Sequence, residues 1–128
     1  MGNANTVTNG ASNDVSGVTN SLVDSNRNAV SGFGNTLVSS DTNSVAGGMN
    51  TVANNSVANS VVGLLNTVTN ESGGNTVGGM LNAVDSVSDS NVVAGQGNLV
   101  EQNSSQNSVS GSSNILTNVS RDNQVAGM

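Results

Sequence analysis

Asn28-Ala-Val-Ser-Gly32 and Asn43-Ser-Val-Ala-Gly47 are two copies of the five-residue motif Asn-x-Val-x-Gly, and this motif decides the fold. It occurs eight times, from Asn13 to Gly127, and its glycine is present in every copy. The copies are 15 residues apart up to Asn43 and 16 residues apart after it. A fixed period of this length is typical of a solenoid, in which each repeat forms one coil.

A second series of asparagines lies between the motifs and follows the same period, with Val or Leu two residues after each one. Its members are Asn5, Asn20, Asn35, Asn50, Asn66, Asn82, Asn98 and Asn114. We call the strands that follow these residues the first column and the strands of the Asn-x-Val-x-Gly motif the second column. We predict an all-β parallel β-solenoid (β-roll) of about eight coils, 15–16 residues per coil, with two short strands per coil and a single domain over residues 1–128.

Side chains alternate along a strand, so the Val or Leu two residues after each asparagine is predicted to point inward. These core positions are Val7, Val15, Leu22, Val30, Leu37, Val45, Val52, Val61, Val68, Val77, Val84, Val93, Val100, Val109, Leu116 and Val125. Coils stack at ~4.8 Å, which would place asparagine over asparagine and allow amide ladders. The motif glycine predicts a corner with positive φ or close backbone approach.

The composition argues against catalysis. His, Cys, Lys, Tyr and Trp are all absent, so the usual bases, thiol nucleophiles and Schiff-base lysines are missing. We therefore expect no enzymatic activity, no catalytic residue, no cofactor and no bound metal. Asp85 and Glu101 hold equivalent places in successive coils, about 5 Å apart. That spacing suits a glycosidase pair or a calcium site, whereas the simpler interpretation is a solvated acidic edge.

The charge of the chain limits its partners. With only Arg27 and Arg121 as cations and a net charge of −6, binding to nucleic acid or to an anionic membrane is disfavoured. The first residues, Met-Gly-Asn-Ala-Asn, lack the basic and apolar stretches of a secretory signal. Either the protein is intracellular or a leader lies outside the given sequence; we expect an extracellular location.

The outward places of the first column form a regular Thr-rich array over five coils, which we call the first-column face. It consists of Thr6, Thr8, Ser21, Val23, Thr36, Val38, Thr51, Ala53, Thr67 and Thr69. In the last three coils the array changes to Ala83, Asp85, Leu99, Glu101, Ile115 and Thr117. A flat grid of methyl and hydroxyl groups could hold water at ice-like spacing, but Thr and Val are also simply good strand residues.

The outward places of the second column, the second-column face, are small and uncharged after Asp14. Beside them, six large residues at a corner form an apolar ridge if they point outward: Phe33, Met49, Leu64, Leu65, Met80 and Leu81. If one residue of each adjacent pair turns inward, they only fill the wider coils; we predict a partial ridge. The candidate assembly residues are Ala29, Ser31, Phe33, Ser44, Ala46, Met49, Ser60, Val62, Leu64, Met80 and Leu81.

The Asn-x-Val-x-Gly repeat, as in Asn28-Ala-Val-Ser-Gly32, resembles that of grass ice-recrystallisation-inhibition (antifreeze) proteins. Those proteins are β-rolls, and the resemblance implies adsorption to ice or ordered water through a flat Thr/Ser/Val face. The first column here lacks the corner glycine, and the corners carry Phe, Leu and Met. The Asn-Ser-Val-Ala-Gly stretch is also similar to head repeats of trimeric autotransporter adhesins.

The ends of the chain suggest an alternative function. The first strand begins within a few residues of Met1, and the chain stops at Gly127-Met128, so we expect open solenoid edges. Open edges template further strands. The alternative is therefore a self-assembling structural subunit of an extracellular fibre or matrix, a homo-oligomer or filament formed by end-to-end stacking.

Overall fold

The computed structural model describes residues 3–127, which form a parallel β-solenoid of two eight-stranded sheets. The first column forms one sheet: β1 (Thr6–Thr8), β3 (Ser21–Val23), β5 (Thr36–Val38), β7 (Thr51–Ala53), β9 (Thr67–Val68), β11 (Ala83–Val84), β13 (Leu99–Val100) and β15 (Ile115–Leu116). The second column forms the other sheet: β2 (Asp14–Val15), β4 (Ala29–Phe33), β6 (Ser44–Gly48), β8 (Ser60–Leu64), β10 (Thr76–Met80), β12 (Val92–Gln96), β14 (Ser108–Ser112) and β16 (Gln124–Gly127). Both predicted columns are confirmed.

Equivalent residues of successive coils are paired in register. In the first sheet Leu22 pairs with Leu37, and in the second sheet Val30 pairs with Val45. Each strand pairs only with its equivalents in the preceding and following coils. The described residues contain no helix with the length and hydropathy that a membrane crossing requires.

The core is one thin layer of Val and Leu between the sheets. Thirteen of the predicted core residues, from Leu22 to Leu116, are buried, and Val15 and Val125 pack partly buried against them. The prediction for Val7 is wrong, because 46% of this residue is exposed. Val7 lies in the first coil, where a neighbouring coil covers it on one side only.

Both predicted asparagine ladders are present. In the first ladder the backbone N–H and the Nδ2 of Asn35 donate to Oδ1 of Asn20 at 3.0 and 2.9 Å, and Nδ2 also donates to the carbonyl of Gly47 at 3.1 Å. In the second ladder Asn59 donates in the same way to Asn43 and to the carbonyl of Ser72. No buried side-chain nitrogen or oxygen of the described residues lacks a partner. The ladders therefore satisfy the polar groups that so narrow a coil buries.

A third column of buried polar residues was missed from the sequence. Its fully buried members are Ser25, Ser40, Ser56, Ser72, Ser88 and Ser104. The hydroxyl oxygen of Ser72 accepts the backbone N–H of Ser88 at 3.0 Å, and Ser56 accepts that of Ser72 at 3.2 Å. Each serine lies three residues before an asparagine of the second column, which was the available signal. The serine column supports the loop that joins the first sheet to the second.

The motif glycines form a column in which backbone stacks directly on backbone. Gly32, Gly47, Gly63 and Gly79 have φ between +109° and +128°, and a Cβ at any of them would overlap the carbonyl oxygen of the next glycine in the column. The predicted close approach and positive φ are confirmed. The strands nevertheless continue one residue past the glycine, as β4 does to Phe33.

The sixteenth residue of the longer coils lies in the loop after the first-column strand. Shorter coils have one left-handed residue there, such as Ser39, whereas longer coils have an adjacent pair, such as Asn54 and Asn55. The inserted residue therefore widens one loop and leaves both sheets in register.

Candidate functional site

The first-column face is one side of the first sheet, and its residues alternate with the buried core as the strand period requires. Thr36, Thr51 and Thr67 pair across three successive coils. Their neighbours two residues on, Val38 and Ala53, form a parallel row. All ten residues of this face are exposed or half-buried, so the sheet presents two rows of small branched side chains to solvent.

One hydroxyl of the first-column face is engaged. Thr69 lies just beyond β9, and its hydroxyl donates to the carboxylate of Asp85 at 2.8 Å. Partial burial raises the pKa of Asp85, but hydrogen bonds from Thr69, Ser86 and Asn70 to its carboxylate outweigh burial and hold the pKa below its ordinary value of 3.8. This carboxylate is therefore tied to the preceding coil and ends the uncharged array.

The last three coils have a different character on this side. Leu99 pairs with Ile115, which is 68% exposed, and Glu101 follows β13 directly. Among residues 3–127, no three acidic side chains gather in the way a metal site requires. The regular array of Thr, Ser and Val is thus limited to the first five coils.

The second-column face is also flat. Ala29, Ser44 and Ser60 pair in register, as do Ser31, Ala46 and Val62. The face carries fewer hydroxyl-plus-methyl side chains than the first-column face, because Ser and Ala replace Thr and Val at most places. It therefore serves as a comparison surface of similar shape and different chemistry.

The apolar ridge is complete rather than partial. All six of its residues, Phe33, Met49, Leu64, Leu65, Met80 and Leu81, are exposed, to between 37% and 52%. They lie where the second sheet turns back towards the first, so the ridge occupies an edge of the solenoid and neither broad face. Gly48 leaves room within it, since a Cβ there would overlap the ring of Phe33 and lie 2.9 Å from Leu64.

The opposite edge of the solenoid, where the first sheet turns towards the second, carries the charge. We call the loops within residues 24–27, 39–42, 54–58, 70–74, 85–90, 101–106 and 117–122 the charged edge. Every charged residue of the chain except Asp14 lies in these loops. The molecule thus has two broad uncharged faces, one charged edge and one apolar edge.

Comparison with known proteins leaves this description as it stands. No protein-family model matches the chain, and no curated protein matches it. The chain is a parallel β-solenoid with two asparagine ladders, defined by its own residues.

Proposed function

We propose that this protein is a non-enzymatic ice-binding protein that inhibits ice recrystallisation through its first-column face. The observation that supports the proposal is the in-register, uncharged array of Thr, Ser and Val over five coils. Threonine offers a hydroxyl that bonds to water and a methyl group that confines it. A grid of both groups therefore holds water molecules in fixed positions.

Rigidity supports the same proposal. A surface that orders water must itself be ordered, since mobile side chains would blur the array. The β-branched residues Thr36, Val38 and Thr51 have few χ1 states, and the sheet beneath them is fixed by the asparagine ladder. The face is thus organised before ice arrives, which lowers the entropy cost of adsorption.

The test compares two double variants in thermal hysteresis and recrystallisation assays. Thr36→Tyr with Thr51→Tyr places two large rings in the middle of the first-column face, and Ser44→Tyr with Ser60→Tyr does the same on the second-column face. We expect the unchanged protein and the second variant to inhibit recrystallisation, and the first variant to lose most of that inhibition. Equal loss in both, or no activity in the unchanged protein, contradicts the proposal.

A second candidate function is a structural subunit that stacks end to end, and the direction of the ladders favours it. Each ladder asparagine donates to the coil before it and accepts from the coil after it. Within the described residues, the Oδ1 atoms of Asn114 and Asn123 in the last coil accept no such bond, while the first coil contains donors of the same kind. The two ends therefore complement each other as internal coils do.

Sedimentation distinguishes this candidate. Val7→Lys with Val125→Lys places charge at both ends, and Ser44→Lys with Ser60→Lys adds the same charge to the second-column face. Long assemblies that disappear only in the first variant support stacking. If the unchanged protein forms no assembly longer than two molecules at high concentration, stacking fails and ice binding stands alone.

A further inference from the structure

The separation of charge from apolar surface is the first sign of a further interface. The corner that carries the apolar ridge contains no charged residue in any coil, from Ser16–Thr19 through to Ala126–Gly127. The charged edge lies on the other side of the core. Because like charges oppose association, a chain with a net charge of −6 can associate with itself most easily through the edge that has none.

Backbone strain is a second and independent sign. Met49, Leu65 and Leu81 hold equivalent places in three successive coils, and all three have left-handed φ between 52° and 59°. Bulky residues are rare in this conformation, which Gly and Asn adopt more easily. The equivalent places in flanking coils are indeed Gly34 and Gly97. Large apolar side chains thus occupy, in a continuous row, places where a smaller or polar residue would fit the backbone better.

The exposed area is a third sign. The six residues of the apolar ridge expose on the order of 500 Å² in total, at the upper end of the patches found on monomeric proteins. Val18 and Val62 flank the ridge and are also about half exposed. Two copies facing each other would bury roughly 1,200 Å² in all, the size at which specific interfaces begin.

We infer that two copies of this chain pair side by side through their apolar ridges. The straight line of the ridge along the solenoid axis allows the same residues of both copies to face each other, as a two-fold interface requires. The charged edges then point away from the contact, and both broad faces stay open. The pair is thus independent of ice binding and of stacking at the ends.

The interface is small, so we expect a dissociation constant in the roughly micromolar range. Sedimentation velocity of the full chain from roughly 1 µM to 1 mM should show monomers giving way to a discrete dimer. Leu65→Asn with Leu81→Asn should weaken the dimer about tenfold or more, because it removes the centre of the contact. Asparagine tolerates left-handed φ, so this variant should fold and melt at least as well as the unchanged protein.

The matched control is Val87→Asn with Val119→Asn. Both valines are exposed and have left-handed φ of 58° and 59°, but they lie on the charged edge. The control should dimerise like the unchanged protein. The inference is overturned if the chain is monomeric throughout the concentration range, if both variants change dimerisation equally, or if association is open-ended and indifferent to the ridge. Melting curves of both variants show whether a lost dimer reflects the contact or the fold.

Discussion

At the scale of single residues, glycine restricts this fold more than any apolar residue does. Gly79 has φ of +109°, and a Cβ on it would overlap the carbonyl oxygen of Gly95 in the next coil. Gly78, the preceding residue, has no heavy atom within 4 Å of an added Cβ. Two adjacent glycines therefore have opposite significance, because one closes the distance between coils and the other faces solvent on the second sheet.

This contrast predicts the effect of adding one methyl group. Gly79→Ala should destabilise the protein by ~3 kcal/mol or more, since it combines a backbone clash with an unfavourable φ. Gly78→Ala should leave stability unchanged or raise it by about 0.5 kcal/mol, because alanine restricts the unfolded chain more than glycine does. Thermal or chemical unfolding of both variants measures the difference. Similar destabilisation by both would contradict the stacked arrangement of the glycine column.

A second prediction at this scale concerns Asp85. Its pKa is lowered in the folded protein, so the charged form is bound more tightly by the folded state than by the unfolded chain. Its contribution to stability is therefore fully present well above pH 3.8 and is lost as the pH falls through the lowered pKa. Asp85→Asn should reduce the loss of stability in acid.

The measurement for Asp85 is the denaturation midpoint from neutral pH down to about pH 2, in the unchanged protein and in the variant. Thr69→Val removes one donor to the carboxylate and should act in the same direction, more weakly. An unchanged acid dependence in Asp85→Asn would show that the hydrogen bonds at Asp85 do not stabilise the fold.

At the scale of the elements, the ladders replace the large apolar core that the sequence lacks. Each strand has only two to five residues, and few of its side chains are buried. A strand this short would not be stable alone. The ladders join it to its neighbours by side-chain as well as backbone hydrogen bonds, so the unit of stability is the column and not the strand.

Removing one ladder asparagine from the middle tests this view. In Asn59→Ala the backbone N–H and Nδ2 of Asn75 lose their acceptor, and the carbonyl of Ser72 loses a donor. Because these groups remain buried, we expect a cost of about 3 kcal/mol or more. Asn55→Gly removes an exposed asparagine side chain where φ is left-handed and should cost little. Equal unfolding midpoints of the two variants would argue against a structural role for the ladder.

The elements also show how far sequence reasoning reaches. The Asn-x-Val-x-Gly period specifies both columns and the core, because only one inward residue per strand fits it. The serine column escaped notice because serine is common throughout the chain, so that Ser72 or Ser88 does not look like a buried residue. The outward direction of Leu65 and Leu81 could not be predicted either, since it depends on a left-handed φ that leucine normally avoids.

The candidate surface was specified only as far as alternation reaches. Period-two alternation predicts which side of the sheet Thr36 and Thr51 occupy, and the structure agrees. The bond between Thr69 and Asp85 joins residues 16 positions apart and depends on side-chain rotamers, which the repeat does not encode. What the face adsorbs depends on the spacing of its side chains relative to bound water, which is a property of the surface and not of the motif.

At the scale of the whole molecule, the solenoid is one-dimensional, because each coil contacts only the coils before and after it. Stability is then approximately a sum over coils and over the interfaces between them. Asn66 and Asn82 hold the same place in successive coils. Deletion of residues 67–82 would therefore join Asn66 to Ala83 as naturally as Asn82 is joined to it, and would remove one complete coil of 16 residues.

This property predicts that a larger deletion is less harmful than a smaller one. Deleting residues 67–82 should leave a cooperative fold of seven coils with an unchanged β spectrum and a modest decrease in melting temperature. Deleting only residues 67–74 joins Asn66 to Asn75, which removes a first-column strand and keeps its second-column partner. The first sheet and its ladder would then be interrupted between β7 and β11, with the core around Val68 left open. We expect this shorter deletion to unfold the protein or to lower its melting temperature far more. Far-UV spectra and thermal melts of the two deletions decide the matter; greater damage from the complete-coil deletion would show that stability depends on contacts beyond neighbouring coils.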